Sequence, residues 1–335
     1  MKNKFFLIFI ISIILCNFTY ADQFIFETKE IIIKDNTNVV YAKNGKAFSK
    51  DKKLEIEAKN FEYFKKQEQL KAFNGEAILN LEKLKIKFDR LELDQKKSII
   101  QAYDNIRITD LEKKLTIISN SILYNQKKNI LESSAESILT DKYGNKFIKK
   151  NFEYDLKKNL VKIKNGILKD VSNNQFKIEL AYINTLTNKL FGKDITANLD
   201  NKTFNKNNEP RLRGRSVIFD NNSTEITKGV FTTCKKRDKC PPWQLSAEKI
   251  QHNRKKQIIN YKNAWLKVYD IPVVYFPKFF HPDPTVKRTS GFLIPSIKNS
   301  PNSKSFLSIP YYKVISDNKD ATITPRLFSN SQFLI

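Results

Sequence analysis

The feature that most constrains this chain is a strand-like repeat of about thirty residues. Asn-Phe-Glu-Tyr occurs at Asn60–Tyr63 and again at Asn151–Tyr154, 91 residues apart. Between and beyond them Leu91, Ile122, Phe152 and Tyr182 follow Phe61 at steps of 30 or 31 residues, and weaker copies surround Ile31, Val217 and Ile250. Each copy carries two short alternating runs, such as Ile56, Ala58 then Phe61, Tyr63, followed by a polar break and a second run such as Leu70, Ala72. Alternation with period two is the signature of strands with one apolar face. A strand repeat of this length predicts a stacked all-β architecture, a solenoid or a jellyroll, with open edges at its two ends. The Asn-Gly pairs ending at Gly45, Gly75 and Gly166 keep the same beat, and their chemistry places them, with the lysine-rich breaks, at turns.

The 335 residues include 40% apolar ones, enough for a sizeable core, and carry a formal charge of +25. The lysines are dispersed along the whole chain between apolar residues, and no arginine-rich arm or finger motif accompanies them, so the charge predicts a solvated face rather than a nucleic-acid groove. Such a surface still favours anionic partners, phosphorylated lipid included. Residues 1–21 have the form of a secretory signal: Lys2 and Lys4, an apolar run from Phe5 to Leu15 too short to span a bilayer, and a small residue at Ala21. Leu15 before Cys16 is too bulky for lipoprotein processing. The exported chain then keeps two cysteines, Cys234 and Cys240, for which an oxidising compartment predicts a disulfide. A zinc site there lacks both the spacing and a nearby histidine.

Nothing in the pattern favours an enzyme. The carboxylates of the repeat, such as Glu55 and Glu57, alternate with apolar residues and belong to the solvated face, so no acid/base pair faces inward. There are two histidines, His252 and His281, no Gly-x-Ser-x-Gly elbow and no phosphate loop. No cofactor or metal is expected. His281-Pro282-Asp283 matches a co-chaperone tripeptide, but that motif needs helices, which Pro277, Pro282 and Pro284 forbid. Two Asn-x-Thr matches, at Asn201 and Asn222, are ordinary in a chain this rich in asparagine.

The C-terminal third carries the most specific signal. Its elements are "PPWQLSAEKI" (Pro241–Ile250), "NAWLKVYDIPVVYFPKFFHP" (Asn263–Pro282), "KRTSGFLIPSI" (Lys287–Ile297) and "LSIPYYKVISDNKDATITPRLFSN" (Leu307–Asn330). In their order and spacing they resemble the LptD family of outer-membrane lipopolysaccharide assembly proteins, also called OstA, and the upstream repeats resemble that family's jellyroll. The resemblance implies a periplasmic jellyroll over residues 22–268, a proline-rich connector over 269–287, and the first strands of an outer-membrane β-barrel over 288–335. Strand one is expected at Arg288–Lys298, strand two at Ser305–Ile315 and strand three at Asp320–Phe328, with a fourth beginning at "QFLI". A barrel must close, and the smallest have about eight strands, so the chain is expected to be a fragment of a longer protein.

The resemblance also implies a division of labour. The jellyroll would receive lipopolysaccharide on an apolar inner face that includes Phe152, Phe176, Leu180 and Tyr182, unless these side chains fill a closed core. The barrel would release the lipid through a lateral gate weakened by Pro295 and Pro310, which sit inside the first two strands. The implied partners are lipopolysaccharide, an LptA-like periplasmic bridge protein adding to the N-terminal edge strand at Gln23–Ile33, and an LptE-like lipoprotein plug in a complete barrel. The chain departs from the family in having no cysteine near its mature N-terminus, so Cys234 and Cys240 pair with each other or with residues elsewhere. The competing function is a periplasmic lipopolysaccharide-binding bridge module without a working barrel; a carbohydrate enzyme of the solenoid type ranks third.

Overall fold

The computed structural model describes residues 24–34, 38–199, 208–235, 241–283, 286, 288–293, 295–299, 305–329 and 332–334. The signal segment 1–21 and Cys240 lie outside the described residues. Those residues form 24 strands and no helix, so the chain is all-β. Two compact units are present, Met1–Leu199 with Arg211–Asn221, and Asp200–Pro210 with Asn222–Ile335.

The first unit holds β1 (Phe24–Lys34), β2 (Val39–Ser49), β3 (Leu54–Phe64), β4 (Gln69–Leu79), β5 (Leu84–Asp94), β6 (Ile99–Asp110) and β7 (Thr116–Asn125). It continues with β8 (Ile130–Thr140), β9 (Lys146–Asp155), β10 (Leu160–Lys169), β11 (Gln175–Asn184), β12 (Lys189–Asn198) and β13 (Arg211–Phe219). Each pairs antiparallel with the next, for example Ala58↔Gly75 between β3 and β4 and Gly75↔Phe88 between β4 and β5. One repeat is therefore one hairpin, and the two alternating runs of a copy are the two arms of a single strand.

Burial shows how those arms combine. In β3 the buried residues are Leu54, Ile56 and Ala58, then Phe61 and Tyr63. In β5 they are Leu84, Ile86 and Phe88, then Leu91 and Leu93. Strict alternation would send the second group to the opposite face; the phase change at mid-strand returns it to the same interior. Several strands make this change at a left-handed residue, Asn44 in β2, Asn74 in β4, Asn165 in β10 and Asp194 in β12, all with φ of 51° or 52°; β6 has two such residues in succession, Asp104 and Asn105, and keeps Ile100, Ala102, Ile106 and Ile108 in phase. Both arms then bury apolar side chains against each other, as Phe26 and Phe61 do with ring centroids 5.8 Å apart, and the sheet closes over itself in a jellyroll-like manner. Burying a Leu, Ile or Phe in this way contributes about 1.5–3 kcal/mol.

The Asn-Gly pairs are thus mid-strand elements and not turns. Asparagine tolerates the left-handed region, and the glycine allows close approach of the neighbouring strand. A Cβ on Gly45 would overlap Glu27 O and Thr28 Cα, and one on Gly75 would overlap Glu57 O and Ala58 Cβ. The turns are built by another device. Asp94 Oδ1 accepts from Lys97 N–H at 3.0 Å and Asp155 Oδ1 from Lys158 N–H at 2.9 Å, each followed by a left-handed residue, Ser98 and Asn159. The donated Lys97 and Lys158 amides hold both carboxyls below the usual aspartate range.

In the second unit β14 (Ser223–Thr232), β15 (Trp243–Asn253), β16 (Ile258–Val268) and β17 (Ile271–Pro282) form a further antiparallel meander. The stretch expected as a connector is in large part β17, a strand registered with β16. Among the described residues it is registered with β16 alone, and an edge strand tolerates proline because one of its sides needs no donors. Pro277 falls opposite Asn263, a left-handed residue (φ 49°) at which the β16–β17 ladder skips a pair.

The C-terminal strands are shorter than their sequence spans suggest. Each expected strand is split at a proline into β18 (Gly291–Phe292) and β19 (Ser296–Lys298), β20 (Phe306–Ser308) and β21 (Tyr311–Ser316), and β22 (Lys319–Ile323) and β23 (Arg326–Phe328), with β24 (Phe333–Leu334) following. The halves fall into two small sheets, β18-β21-β22 and β19-β20-β23-β24. Neither closes into a barrel among the described residues.

Candidate functional site

The interior of the first unit is lined mainly by apolar side chains. Ile56, Phe61, Ile86, Phe88, Leu91, Ile117, Ile122, Phe147, Phe152, Phe176 and Ile178 are all buried, and each strand adds the next step. Phe152 and Phe176 belong to this interior. Leu180 and Tyr182 are half-buried, and it is Ala181 and Ile183 beside them in β11 that are buried. The outer face carries cross-strand ion pairs such as Lys46–Glu55 at 2.7 Å and Lys85–Glu76 at 2.8 Å. These are solvent-exposed and contribute little to stability.

This interior is bounded by polar groups that the sequence reading did not anticipate. The Asp110 carboxylate is 2% exposed and accepts the amides of Glu112 and Lys113 and, at 2.9 Å, the Lys113 ammonium. Tyr154 OH lies 3.3 Å from Asp110 Oδ2 and 3.1 Å from Thr185 Oγ1. Burial lowers the Lys113 pKa more than any one contact raises it, but the contacts with Asp110 and Tyr154 together outweigh it and leave the group raised. Burial pushes the Tyr154 phenol up. A related set stands at the β7 end, where Tyr124 OH is 2.8 Å from Glu82 Oε1 and 2.9 Å from Asn129 Oδ1. Burial, reinforced by Glu82, raises that phenol as well. The available signal was the recurrence of tyrosine at the second arm of repeat strands, Tyr63, Tyr124 and Tyr154. At mid-strand, Ser119, Ser133 and Ser137 form a buried hydroxyl knot with separations of 2.9 to 3.2 Å. Backbone acceptors such as Ser121 O complete it, so it introduces no unpaired polar group into the core.

At one end of this unit β1 is registered, among the described residues, with β2 alone. Ile31, Ile32 and Ile33 are about half exposed, consecutive residues on both faces of the strand. An apolar strand with an open backbone edge is a template for strand addition.

In the second unit the two histidines share one cross-strand row, His252 opposite Ile259 and Ile259 opposite His281. His252 Nε2 is 2.5 Å from Asp283 Oδ2, and His281 Nε2 is 2.9 Å from Tyr261 OH. Burial raises the Tyr261 phenol. The Trp265 and Tyr275 rings pack at a tilt with centroids 4.9 Å apart, and Ile271, Val273 and Phe280 of β17 are more than half exposed. Beyond β17, Arg288 donates to Tyr312 OH, to Asp317 O and to the Asp320 carboxylate, fixing the segment before β18 to the β21–β22 hairpin. Pro295 and Pro310 lie outside the ladders, each between the two halves of its strand. Cys234 follows β14, with Sγ 3.7 Å from Trp243 O. Among the described residues no group of three histidine, cysteine or acidic side chains is placed to hold a metal.

The class defined by these features is an all-β repeat protein with an apolar interior, running into short, proline-split aromatic strands. Residues 259–335 match the family model described as "LptD protein". Among curated proteins it is similar to "LPS-assembly protein LptD" of Nitrosococcus oceani, 40% identical over 107 residues. That match spans 32% of this chain and 14% of the relative. The protein of the same name from Yersinia enterocolitica is 37% identical over 115 residues, 34% of this chain and 14% of the relative. The one from Shewanella oneidensis is 40% identical over 114 residues, 33% and 14%. The chain thus matches about a seventh of the length of these relatives.

Proposed function

We propose that this chain takes part in lipopolysaccharide assembly at the outer membrane of a Gram-negative cell and acts without enzymatic chemistry. The first unit lies in the periplasm and carries the acyl chains of the lipid along its interior. The strands after β17 belong to a membrane wall through which the lipid leaves. The observation that carries this reading is the run of buried apolar side chains from β3 to β11, interrupted in β7 and β8 by the neutral Ser119–Ser133–Ser137 knot, with the buried charges of Asp110 and Lys113 paired to each other at its boundary. The printed names of the relatives support the lipid, and the aromatic strands within the stretch that matches the LptD family model support the membrane.

On this reading β1, with its open edge and exposed isoleucines, receives a strand of an LptA-like bridge protein. An LptE-like lipoprotein fills the completed barrel. Pro295 and Pro310 weaken the wall where it must part, and Cys234 pairs with Cys240. The test is photo-crosslinking from position 152 in living cells. An adduct with lipopolysaccharide is expected there, and no adduct from any inward position contradicts the transport path. Replacing Pro295 and Pro310 together by alanine is expected to slow arrival of lipopolysaccharide at the cell surface without lowering the amount of protein in the membrane.

A further inference from the structure

The three C-terminal strands are split along a single line. The β20–β23 and β21–β22 ladders run in one register, with Ser308↔Arg326 on one side of the break and Tyr311↔Ile323 on the other. They would form one uninterrupted hairpin were it not for Ile309-Pro310 and Thr324-Pro325 between them. Within the gap, Ile309 N–H donates to Pro325 O at 3.2 Å, and Leu293 N–H donates to Pro310 O at 2.8 Å. In an antiparallel ladder such a pair exchanges two hydrogen bonds. Here the return bond is impossible in both cases, because proline has no N–H. The prolines therefore occupy positions where each removes half of a hydrogen-bonded pair, one between strands one and two, the other between strands two and three. Pro295 interrupts strand one at the same level, between β18 and β19.

Either side of the line is braced. Arg288 ties the β21–β22 leaf through Tyr312, Asp317 and Asp320, and Ser290 Oγ accepts from Val314 N–H at 2.9 Å. In the other leaf Phe306 and Phe328 pack at 5.4 Å, with Arg326 over the Phe306 ring at 5.2 Å. Two braced leaves joined by half-made pairs describe a hinge.

We propose that Pro295, Pro310 and Pro325 form one crease crossing three adjacent strands, with Pro325 as a positioning residue that lets the β20–β21 and β22–β23 hairpin bend as a unit. The hinge stands on the geometry alone; its use in opening a membrane wall rests on the transport reading above.

The experiment is residue-resolved hydrogen exchange on the full chain, wild type against Pro325→Ala. The substitution supplies the missing N–H opposite Ile309 O, and one added hydrogen bond slows local opening about fivefold. If the crease is a single hinge, exchange slows by about that factor at Ile309 and also at Leu293, which lies in the pair that was not altered. Slowing confined to Ile309, or none, overturns the proposal. Should the variant fail to fold, the wild type still decides: Leu293 and Ile309 are expected to exchange about tenfold faster than the amides within the β21–β22 ladder, and equal rates overturn the hinge. Lipopolysaccharide arrival at the cell surface is followed in parallel. Slowed exchange at both amides with unchanged transport supports the hinge and counts against the transport reading.

Discussion

Gly75→Ala tests the packing of the repeat at its tightest point. Gly75 sits opposite Ala58 of β3 and Phe88 of β5, and its φ is not left-handed, so alanine meets no backbone penalty there. Sterics decide instead. The added methyl would overlap the carbonyl oxygen of Glu57 and lie 2.7 Å from Ala58 Cβ. Neither neighbour is the free end of a side chain, so β3 and β4 must move apart. Overpacking of this kind costs about 3 kcal/mol, and the reduced freedom of the unfolded chain returns about 0.5 kcal/mol. At Gly166 the added methyl meets Ile163 Cγ2 at 2.5 Å, which a rotamer change relieves for about 1 kcal/mol. Urea unfolding of residues 22–268, followed by circular dichroism, is therefore expected to show a loss of about 2.5 kcal/mol for Gly75→Ala and under 1 kcal/mol for Gly166→Ala. Equal losses at the two sites would refute the close approach of β3 and β4.

Further outcomes follow from the polar groups and the cysteines. Asp110→Ala leaves the Lys113 ammonium buried without its partner and should cost about 3–5 kcal/mol in the same unfolding measurement. Because Lys113 and Tyr154 both titrate above their ordinary values, their contributions to stability are complete at neutral pH and are lost as pH rises beyond about 10. In Asp110→Ala the Lys113 part of that alkaline loss should shrink. The Asp51 carboxyl, held down to about 2 by Lys53 and Ser49, should stay ionised far into acid, so its contribution is present above about pH 4 and is lost as pH falls through 2; a carbon-detected titration midpoint near 4 would contradict this. Non-reducing peptide mapping is expected to recover a Cys234–Cys240 linked peptide, and recovery of both as separate thiol peptides would exclude the pairing.

The fold was legible where residue pattern and structure obey the same period. Leu54, Ile56, Ala58, Phe61 and Tyr63 announce a strand with one interior, and the phase change between Ala58 and Phe61 is visible in the sequence itself. What was not legible is where a left-handed residue is used. Asparagine before glycine suits a hairpin turn and a mid-strand kink equally, and the choice at Asn44, Asn74 and Asn165 is made by the neighbouring strands. Leu180 and Tyr182 lie one step out of phase with buried Ala181 and Ile183, an ambiguity inherent in a strand apolar on both faces such as "KIELAYI". The prolines of β17 predict a broken ladder only if both sides of the strand need donors. Tyr154 reaches Asp110 and Thr185 at sequence separations of 44 and 31, a distance over which local pattern carries no pairing information.

The central claim is that both arms of each repeat strand face one lipid-carrying interior. A photo-crosslinking scan along β3 tests it most directly. Lipopolysaccharide adducts are predicted from positions 56, 58, 61 and 63, and none from 55, 57 or 62. Adducts that follow strict alternation through the middle of the strand, or that come from the outward positions, would contradict the account.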